Sequence, residues 1–282
     1  MFRPTPLGPI DYLVIGHITV DLTTKGPQLG GTATYAALTA QALGLRVGVV
    51  TSRGSELPLD PLQDIPIVNL SAAQSTTFEN IATPEGRIQV IHHVANNLGL
   101  NLIPEPWLNP SIVHLGPVAQ EVEPTLVRSF TNSFIGLTPQ GWLRSWDATG
   151  TVTSTEWPEA AFILGRAGAA VLSMEDLQED EARIDELASS CRVLAITNGS
   201  QGVRLFWNGD VRRFRSPDMT VIDTTCAGDI FATAFFYRLY TTRDPWEAAR
   251  FSTQLASISV TRPGLSGIPT PDEIKDCLVE VF

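Results

Sequence analysis

Short apolar runs and amphipathic stretches alternate along the chain, and this alternation predicts strands separated by helices. Residues 11–16 have the apolar pattern of a buried strand ending in Gly, and residues 46–51 repeat that pattern after an Ala-rich helical stretch over 32–43. Because parallel strands are joined by helical crossovers, this βαβ beginning predicts a largely parallel sheet with helices on both faces. Further apolar runs predict strands at 65–68, 111–116, 133–138, 161–164, 169–172 and 193–197.

Helical periodicity and turn residues account for most of the remaining chain. In residues 230–240, Phe231, Phe235 and Leu239 recur at spacings of four, which indicates one buried helical face. The segment Asn208-Gly209-Asp210 between two apolar runs predicts a tight hairpin turn. Helices are further expected over 121–130, 175–190 and 245–260, an extended strand over 17–22, a turn over 27–31, a loop over 139–144 and a hairpin over 76–92.

The most informative segment is 223–229, which reads Asp-Thr-Thr-Cys-Ala-Gly-Asp and lies where an extended stretch meets the helix over 230–240. The first N–H groups of a helix lack partners and carry a partial positive charge, so this junction is a natural anion site. Asp229 then either takes a proton from a hydroxyl that attacks a bound phosphate or only caps the helix. The residues alone leave both interpretations open.

This heptad and the helix after it resemble the Asp-Thr-x-Gly-Ala-Gly-Asp signature of the ribokinase-like (PfkB) family of sugar and nucleoside kinases. The resemblance implies that the backbone N–H groups of Cys226, Ala227 and Gly228 form an anion hole for the transferred phosphate, and that Asp229 is the catalytic base. Cys226 replaces the usual Gly, and its Cβ narrows the loop. A nucleophilic Cys226 is an alternative, because helix N-termini lower thiol pKa values. The simpler interpretation is a small side chain tolerated in a tight turn.

The N-terminal part of the chain resembles the family's acceptor motif. By that resemblance, Asp21 supplies a carboxylate to substrate hydroxyls, and the Gly30-Gly31 turn lets the backbone approach the sugar. An ionised carboxylate suits this role because it only accepts hydrogen bonds, although the residues alone would equally suggest a solvated turn acid. Two features depart from the family: Tyr35 stands in place of an Asn, and only eight residues separate Asp21 from Gly30.

The donor side is implied by two further segments. Residues 197–202 resemble the family's Thr-x-Gly-x-x-Gly nucleotide loop, although a plain turn would read the same. Residues 261–267 resemble the C-terminal loop that lies near adenine and, in some members, helps to bind a monovalent cation. The donor-binding residues implied are Thr197, Gly199, Gly202, Thr225 and Gly264.

Two other residues are candidates for the site. Arg144 follows a predicted strand at the carboxyl end, where doubly wound sheets bind ligands, so it could reach a phosphate or substrate; a surface ion pair is the plainer interpretation. Asp176 stands where family members carry an Asn-x-x-Glu pattern linked to magnesium. The Asn is missing, and acids at a helix start explain Glu175 and Asp176 as well.

Composition narrows the class of protein. The net charge of −11, with only two lysines, argues against nucleic acid or an anionic membrane as the main partner. Three cysteines without metal-like spacing fit a reducing compartment. The chain has no signal-like segment and no apolar run of membrane-spanning length, so we expect a cytoplasmic protein.

These features together predict an α/β protein with a ribokinase-like three-layer sandwich. We expect one kinase domain over 1–282, built around a mostly parallel sheet, with a small β lid formed by reduced strands near 17–30 and 75–94. The resemblance implies a transferase that uses ATP and Mg²⁺ to phosphorylate a hydroxyl of a small sugar or polyol. The short lid, Tyr35 and the segment 139–144 are similar to the inositol-kinase branch.

Two alternatives stay open. A nucleoside kinase of the same family is one, and a catalytically silent, nucleotide-binding regulatory protein is the other. Cys226 and the missing Asn favour the silent protein, whereas Asp21 and Asp229 favour the enzyme. Exposed lid strands could also pair between two chains as a homodimer.

Overall fold

The computed structural model describes residues 7–83, 86–225 and 227–278. In chain order, the strands are β1 Tyr12–Ile15, β2 Thr19–Thr23, β3 Gly26–Gly30, β4 Val47–Arg53, β5 Ile67–Ser71, β6 Thr77–Thr83, β7 Gly86–His93, β8 Ile112–Leu115, β9 Phe134–Leu137, β10 Arg144–Trp146, β11 Val152–Ser154, β12 Ala169–Ser173, β13 Val193–Thr197, β14 Val203–Trp207 and β15 Asp210–Phe214. The α-helices are α1 Thr32–Ala42, α2 Ala160–Leu164, α3 Glu181–Ser190, α4 Ala227–Thr242, α5 Pro245–Ser259 and α6 Pro271–Cys277.

The larger sheet has the strand order β15-β14-β13-β12-β9-β8-β1-β4-β5. The strands from β13 to β5 run parallel to one another, and the β14–β15 hairpin adds two antiparallel strands at one edge. Every residue of β1 is buried, as expected for a strand with helices on both sides of its sheet. The predicted mostly parallel sheet is confirmed.

Two apolar cores lie on opposite faces of this sheet. Leu13 and Ile15 point into one core, which α2, α3 and the turns after β8 and β9 complete. Tyr12 and Val14 point into the other, which α1, α4 and α5 cover. This division follows from the alternation of side chains along a strand. The arrangement is the three-layer α/β sandwich that the sequence predicts.

A smaller sheet has the order β3-β2-β6-β7. Strands β2 and β6 are parallel, and the two outer pairs are antiparallel. One face packs through Phe78 and Ile91 against Val118 and Ala119 of the loop after β8. The β10–β11 ribbon continues this packing, since the Ile91 N–H donates to the Gly150 carbonyl oxygen at 2.8 Å. These strands occupy the positions predicted for the lid.

Several local predictions are wrong. The run 161–164 lies in helix α2 and not in a strand, because a short apolar run has no period that separates the two. The helix expected over 121–130 is a 3-10 turn at Pro124–Arg128. The turn expected over 27–31 is largely strand β3, and the loop over 139–144 is a 3-10 turn that leads into β10.

Helix α3 begins later than predicted, at Glu181, because the Asp180 carboxylate caps it by accepting from two backbone N–H groups. Among the helices that the structure describes, not one combines the length and the apolar character needed to cross a membrane.

Candidate active site

Helix α4 directs its N-terminus to the carboxyl edge of the larger sheet. Tyr240, near the end of α4, packs on Phe134 at the start of β9, with ring centroids 6.3 Å apart. Phe236, one turn earlier, covers Gly136 further along β9. The helix therefore runs antiparallel to β9, so Asp229 in its first turn lies toward the carboxyl ends of the strands. Ligands bind at this edge in open α/β sheets.

The first turn of α4 combines a buried acid with open space. Asp229 is 91% shielded from solvent, whereas, among the described residues and apart from the helix's own backbone and the chain neighbours, no atom lies within 4 Å of the position that a Cβ on Gly228 would take. The Ala227 N–H donates to the Thr224 carbonyl oxygen at 3.3 Å, a long bond that an incoming phosphate could replace. Cys226 lies outside the described residues, so the predictions made for it stay predictions.

Asp223 joins the signature loop to the C-terminal loop. One carboxylate oxygen accepts from the Thr225 N–H and the other from the Gly264 N–H, each at 2.8 Å. Burial alone would raise the pKa of Asp223, but the hydrogen bonds from Thr225 and Gly264, helped by the Lys25 charge, lower it below its usual range. Lys25 lies in the turn between β2 and β3, so the small sheet reaches toward the signature loop.

Asp21 and the two glycines form one cluster. The Asp21 carboxylate packs directly on Gly30, where any Cβ would overlap it, and it accepts from the Thr19 hydroxyl at 2.8 Å. Gly31 has φ +83° and caps α1, and a Cβ there would come within 2.5 Å of the His17 carbonyl oxygen. Both positions therefore require Gly, one for space and one for space and conformation.

Arg144 lies where the turn after β9 meets the loop after β8. Its guanidinium donates to the Val118 carbonyl oxygen at 3.0 Å and to the Gln140 side chain at 2.8 Å. Burial raises the pKa of Asp21 above its usual range, while the Thr19 hydrogen bond and the charge of Arg144 oppose that rise. Arg144 thus acts electrostatically on Asp21, and the structure brings these two predicted residues together.

The loop after β13 has the geometry of a tight turn. Gly202 has φ +88°, and a Cβ there would overlap the Phe214 carbonyl oxygen. Gly199 has φ +48°, and among the described residues nothing beyond its chain neighbours lies within 4 Å of a Cβ position, so a side chain there would face open space. The Thr197 hydroxyl donates to the Leu172 carbonyl oxygen at 3.3 Å. Thr197, Gly199 and Gly202 therefore lie together at the end of β13.

Asp176 has a local structural role at the end of β12. One of its carboxylate oxygens accepts from the Ser173 N–H at 2.9 Å and from the Ser173 hydroxyl at 2.8 Å. Within the described ranges, His, Cys, Asp and Glu residues do not form a group of three that could hold a metal. Magnesium is commonly held by one carboxylate together with water and substrate phosphates, and Asp176 fits only that arrangement.

Tyr35 was noted in the sequence analysis only as a departure from the family, and Glu121 was missed there as a contributor to this edge. Tyr35 is buried in α1, and its hydroxyl lies 3.9 Å from the position of a Cβ on Gly264, so α1 approaches the C-terminal loop. Glu121 is buried in the loop after β8, where it accepts from the N–H groups of Val118 and Ala119.

The sheet order, the helical layers and the small sheet define the class of protein as a ribokinase-like α/β fold. A solved pyrophosphate-dependent kinase of the ribokinase family, in complex with a pyrophosphate analog and myo-inositol, superposes with a TM-score of 0.78 at 18% identity, covering 95% of this chain and 100% of that one. The ribokinase from Thermotoga maritima superposes with a TM-score of 0.70 at 21% identity, covering 95% of this chain and 99% of that one.

Sequence comparison shows similarity to sugar and nucleoside kinases. The profile of the pfkB family carbohydrate kinases matches residues 151–272. The cytidine kinase of Thermococcus kodakarensis is 27% identical over 80% of this chain and 87% of its own length. The ribokinase of Bacillus subtilis is 39% identical over 30% of this chain and 29% of its own length. The family match and these relatives support the resemblance found in the sequence, that of a ribokinase-like (PfkB) kinase, which is a phosphotransferase with an alcohol group as acceptor.

Proposed function

We propose that the protein is an ATP-dependent kinase that phosphorylates a hydroxyl of a small sugar or polyol, with Asp229 as the general base. The observation that carries this proposal is the position of Asp229, buried in the first turn of α4 at the carboxyl edge of the sheet. The helix N-terminus attracts the transferred phosphoryl group, and the adjacent carboxylate takes the proton of the attacking hydroxyl.

The acceptor would lie between the small sheet and the signature loop. We assign Asp21 to accept hydrogen bonds from two neighbouring hydroxyls of the acceptor, and Gly30 leaves the space in which the Asp21 carboxylate lies. The charge of Arg144 keeps Asp21 more readily ionised than burial alone would allow, and its guanidinium is a donor for the acceptor's hydroxyl oxygens. This combination of an acceptor-only acid and a donor-only base suits a polyhydroxylated molecule.

The donor would lie across the signature loop, the 197–202 loop and the C-terminal loop. The N–H groups of residues 226–228 would stabilise charge on the phosphoryl group in the transition state. Val221 and Ile222, which immediately precede Asp223, are 57% and 63% exposed and offer an apolar surface to an adenine base. Inorganic pyrophosphate has no such apolar part, so these side chains favour ATP as the donor. Thr225 and Gly264 border the same surface through their bonds to Asp223.

Magnesium fits this site as an ion held mainly by the donor's own phosphate oxygens. Asp176 is the residue that we assign to it, either directly or through water. When bound, the ion neutralises charge on the phosphate groups. The remaining steps belong to the side chains and backbone groups described above.

A nucleoside acceptor is the second candidate. It is favoured by the cytidine kinase of Thermococcus kodakarensis, whose similarity extends over most of this chain. The same cluster of Asp21, Gly30 and Gly31 would then hold the ribose hydroxyls. The two candidates differ in whether the acceptor must carry a base.

The test is a phosphoryl-transfer assay with a matched pair of variants. ATP and pyrophosphate, each with Mg²⁺, are offered with inositols, pentoses, hexoses and nucleosides, and phosphorylated products are detected by mass spectrometry. We expect Asp229→Asn to lose about 10²- to 10⁴-fold in kcat on the best acceptor, the usual contribution of a general base. Asp244→Asn is the control, because Asp244 also lies at a helix start but caps α5.

The outcomes separate the hypotheses. Turnover that Asp229→Asn loses and Asp244→Asn keeps supports the proposed mechanism and identifies the acceptor. Equal activity of wild type and Asp229→Asn would remove Asp229 from the mechanism. Binding of ATP without transfer to any acceptor would favour the catalytically silent protein.

A further inference from the structure

The chain passes between the two sheets at four places. These are residues 16–18 between β1 and β2, residue 31 between β3 and α1, residues 72–76 between β5 and β6, and residues 94–97 after β7. The orientation of the small sheet relative to the larger one depends on how these crossings are held together. His17 lies in the first crossing, and its side chain has no exposed surface.

The His17 side chain connects its own crossing to two others. Its Nε2 lies 2.9 Å from the Asn96 carbonyl oxygen, after β7, and its Nδ1 lies 2.6 Å from the Thr76 hydroxyl, just before β6. A carbonyl oxygen only accepts, so in the neutral ring Nε2 carries the proton and Nδ1 accepts from Thr76. The Thr76 oxygen in turn accepts from the Ala95 N–H at 2.9 Å.

The His17 backbone reaches the remaining crossing, at residue 31, and also the larger sheet. Its carbonyl oxygen lies against Gly31, where a Cβ would come within 2.5 Å of it. Its N–H donates to the buried Glu121 carboxylate at 3.0 Å. Glu121 also accepts from the N–H groups of Val118 and Ala119, so it fixes the loop after β8 to the same point. All four crossings therefore meet at one residue.

We propose that His17 is a positioning residue that sets the small sheet, and with it Asp21, over the acceptor site. Asp21 lies on β2 four residues after His17, and Arg144 is held by the carbonyl oxygen of Val118. Loss of the His17 side chain leaves the Thr76 and Asn96 groups without their buried partner, and it releases β6 and β7 from β1. The catalytic part of this inference rests on the function proposed above.

Hydrogen exchange measured by mass spectrometry tests the anchoring role without any assay of activity. We expect His17→Ala to raise amide exchange at least 10-fold in residues 19–30 and 77–93, with residues 112–115 unchanged. His17→Gln retains an N–H donor for the Asn96 carbonyl oxygen and should show a smaller rise. His114→Gln is the matched control, because His114 is equally buried and bonded through both ring nitrogens, to Tyr12 and Thr138, but lies inside the larger sheet.

The kinetic consequence separates positioning from simple loss of stability. In folded His17→Gln protein, the acceptor KM should rise about 10-fold, donor hydrolysis without transfer should increase relative to transfer, and the donor KM should stay near the wild-type value. If the His17 variants do not fold, Thr76→Val removes the hydrogen bond between Thr76 and His17 from the β6 side and keeps a side chain of similar shape. Thr76→Val should then give the same exchange pattern.

Two results would overturn the inference. One is small-sheet exchange that rises equally in the His17 and His114 variants, which would make His17 an ordinary core residue. The other is an unchanged acceptor KM in a His17 variant whose small sheet exchanges faster, which would remove the link to the acceptor. Because the exchange experiment needs no substrate, failure of the kinase proposal and failure of the anchoring role give different results.

Discussion

At the scale of single residues, the buried carboxyl of Asp21 has a stability cost beside the binding function that we propose for it. Burial holds the pKa of this carboxyl above its usual range, against the opposing effects of Thr19 and Arg144. The folded protein therefore keeps the Asp21 proton to a higher pH than the unfolded chain does. Between the pKa of Asp21 in the unfolded chain and its raised pKa in the folded protein, rising pH therefore lowers the free energy of unfolding. Above the raised pKa, the carboxylate is ionised and can accept hydrogen bonds from hydroxyls.

Asp21→Asn should therefore separate binding from stability. We expect the acceptor KM to rise at least 10-fold, because an amide cannot accept two hydroxyl protons with one oxygen in the same geometry. We also expect the thermal midpoint at about pH 8 to equal or exceed that of wild type, since the buried charge is gone, and this gain to vanish at about pH 4, near the usual pKa of Asp. Thermal unfolding at the two pH values and steady-state kinetics check this.

Asp223→Asn is the control for Asp21→Asn, because the sign of its effect is reversed. The pKa of Asp223 is held below its usual range, so its contribution to stability is present above the usual Asp pKa and is lost as pH falls through the lowered value. A loss of stability at about pH 8 in both variants would contradict our account of Asp21.

At the scale of elements, the turn between β13 and β14 assigns different roles to its two glycines. Gly202 is enclosed by the Phe214 carbonyl oxygen and the backbone of Arg215 and Ser216, in a conformation that favours Gly. Gly199 faces open space at the expected donor side. Gly202 is needed to form the turn. We expect Gly199 to leave space for the donor that approaches the turn.

Alanine substitutions should reveal this division. Gly202→Ala should lower the free energy of unfolding by roughly 2–3 kcal/mol, since both the clash and the backbone conformation oppose a Cβ. Gly199→Ala should cost only about 1 kcal/mol but raise the donor KM several-fold. Urea unfolding and donor titration at saturating acceptor measure both effects. An unchanged donor KM for Gly199→Ala would place the donor elsewhere.

At the scale of the whole molecule, the larger sheet joins distant parts of the chain. Its neighbouring strands come from residues as far apart as β1 and β8, and its edges are β5 and β15. Dividing the chain at any point between β1 and β15 would separate strands that belong to this sheet. We therefore propose one domain over 1–282, as the sequence analysis expects.

A single domain should unfold as one cooperative unit. We expect differential scanning calorimetry to show one transition whose calorimetric and van't Hoff enthalpies agree. Two transitions would instead divide the chain into independent units. The homodimer stays a prediction. The outer strands of the small sheet are β3 and β7, and Pro27 within β3 has no N–H to donate to a partner strand.

The sequence was sufficient to predict the features that depend on neighbouring residues. The buried strands near 11–16, 46–51 and 193–197, the hairpin at Asn208-Gly209 and the helix that begins at the signature all depend on neighbours within a few residues. Asp21, Gly30 and Gly31 were assigned to the acceptor through a family motif, and the packing of Asp21 on Gly30 was not predicted. For these features, the period of apolar residues and the turn-forming residues contain the necessary information.

Contacts between residues far apart in the sequence could be seen only in the folded structure. The run 161–164 became helical through its packing, since a short apolar run fits a helix or a strand equally well. Arg144 lies beside Asp21 because the turn after β9 folds back against the small sheet, which its own neighbours do not encode. His17 and Glu121 are 104 positions apart, and they meet because parallel strands β1 and β8 end at the same edge of the sheet.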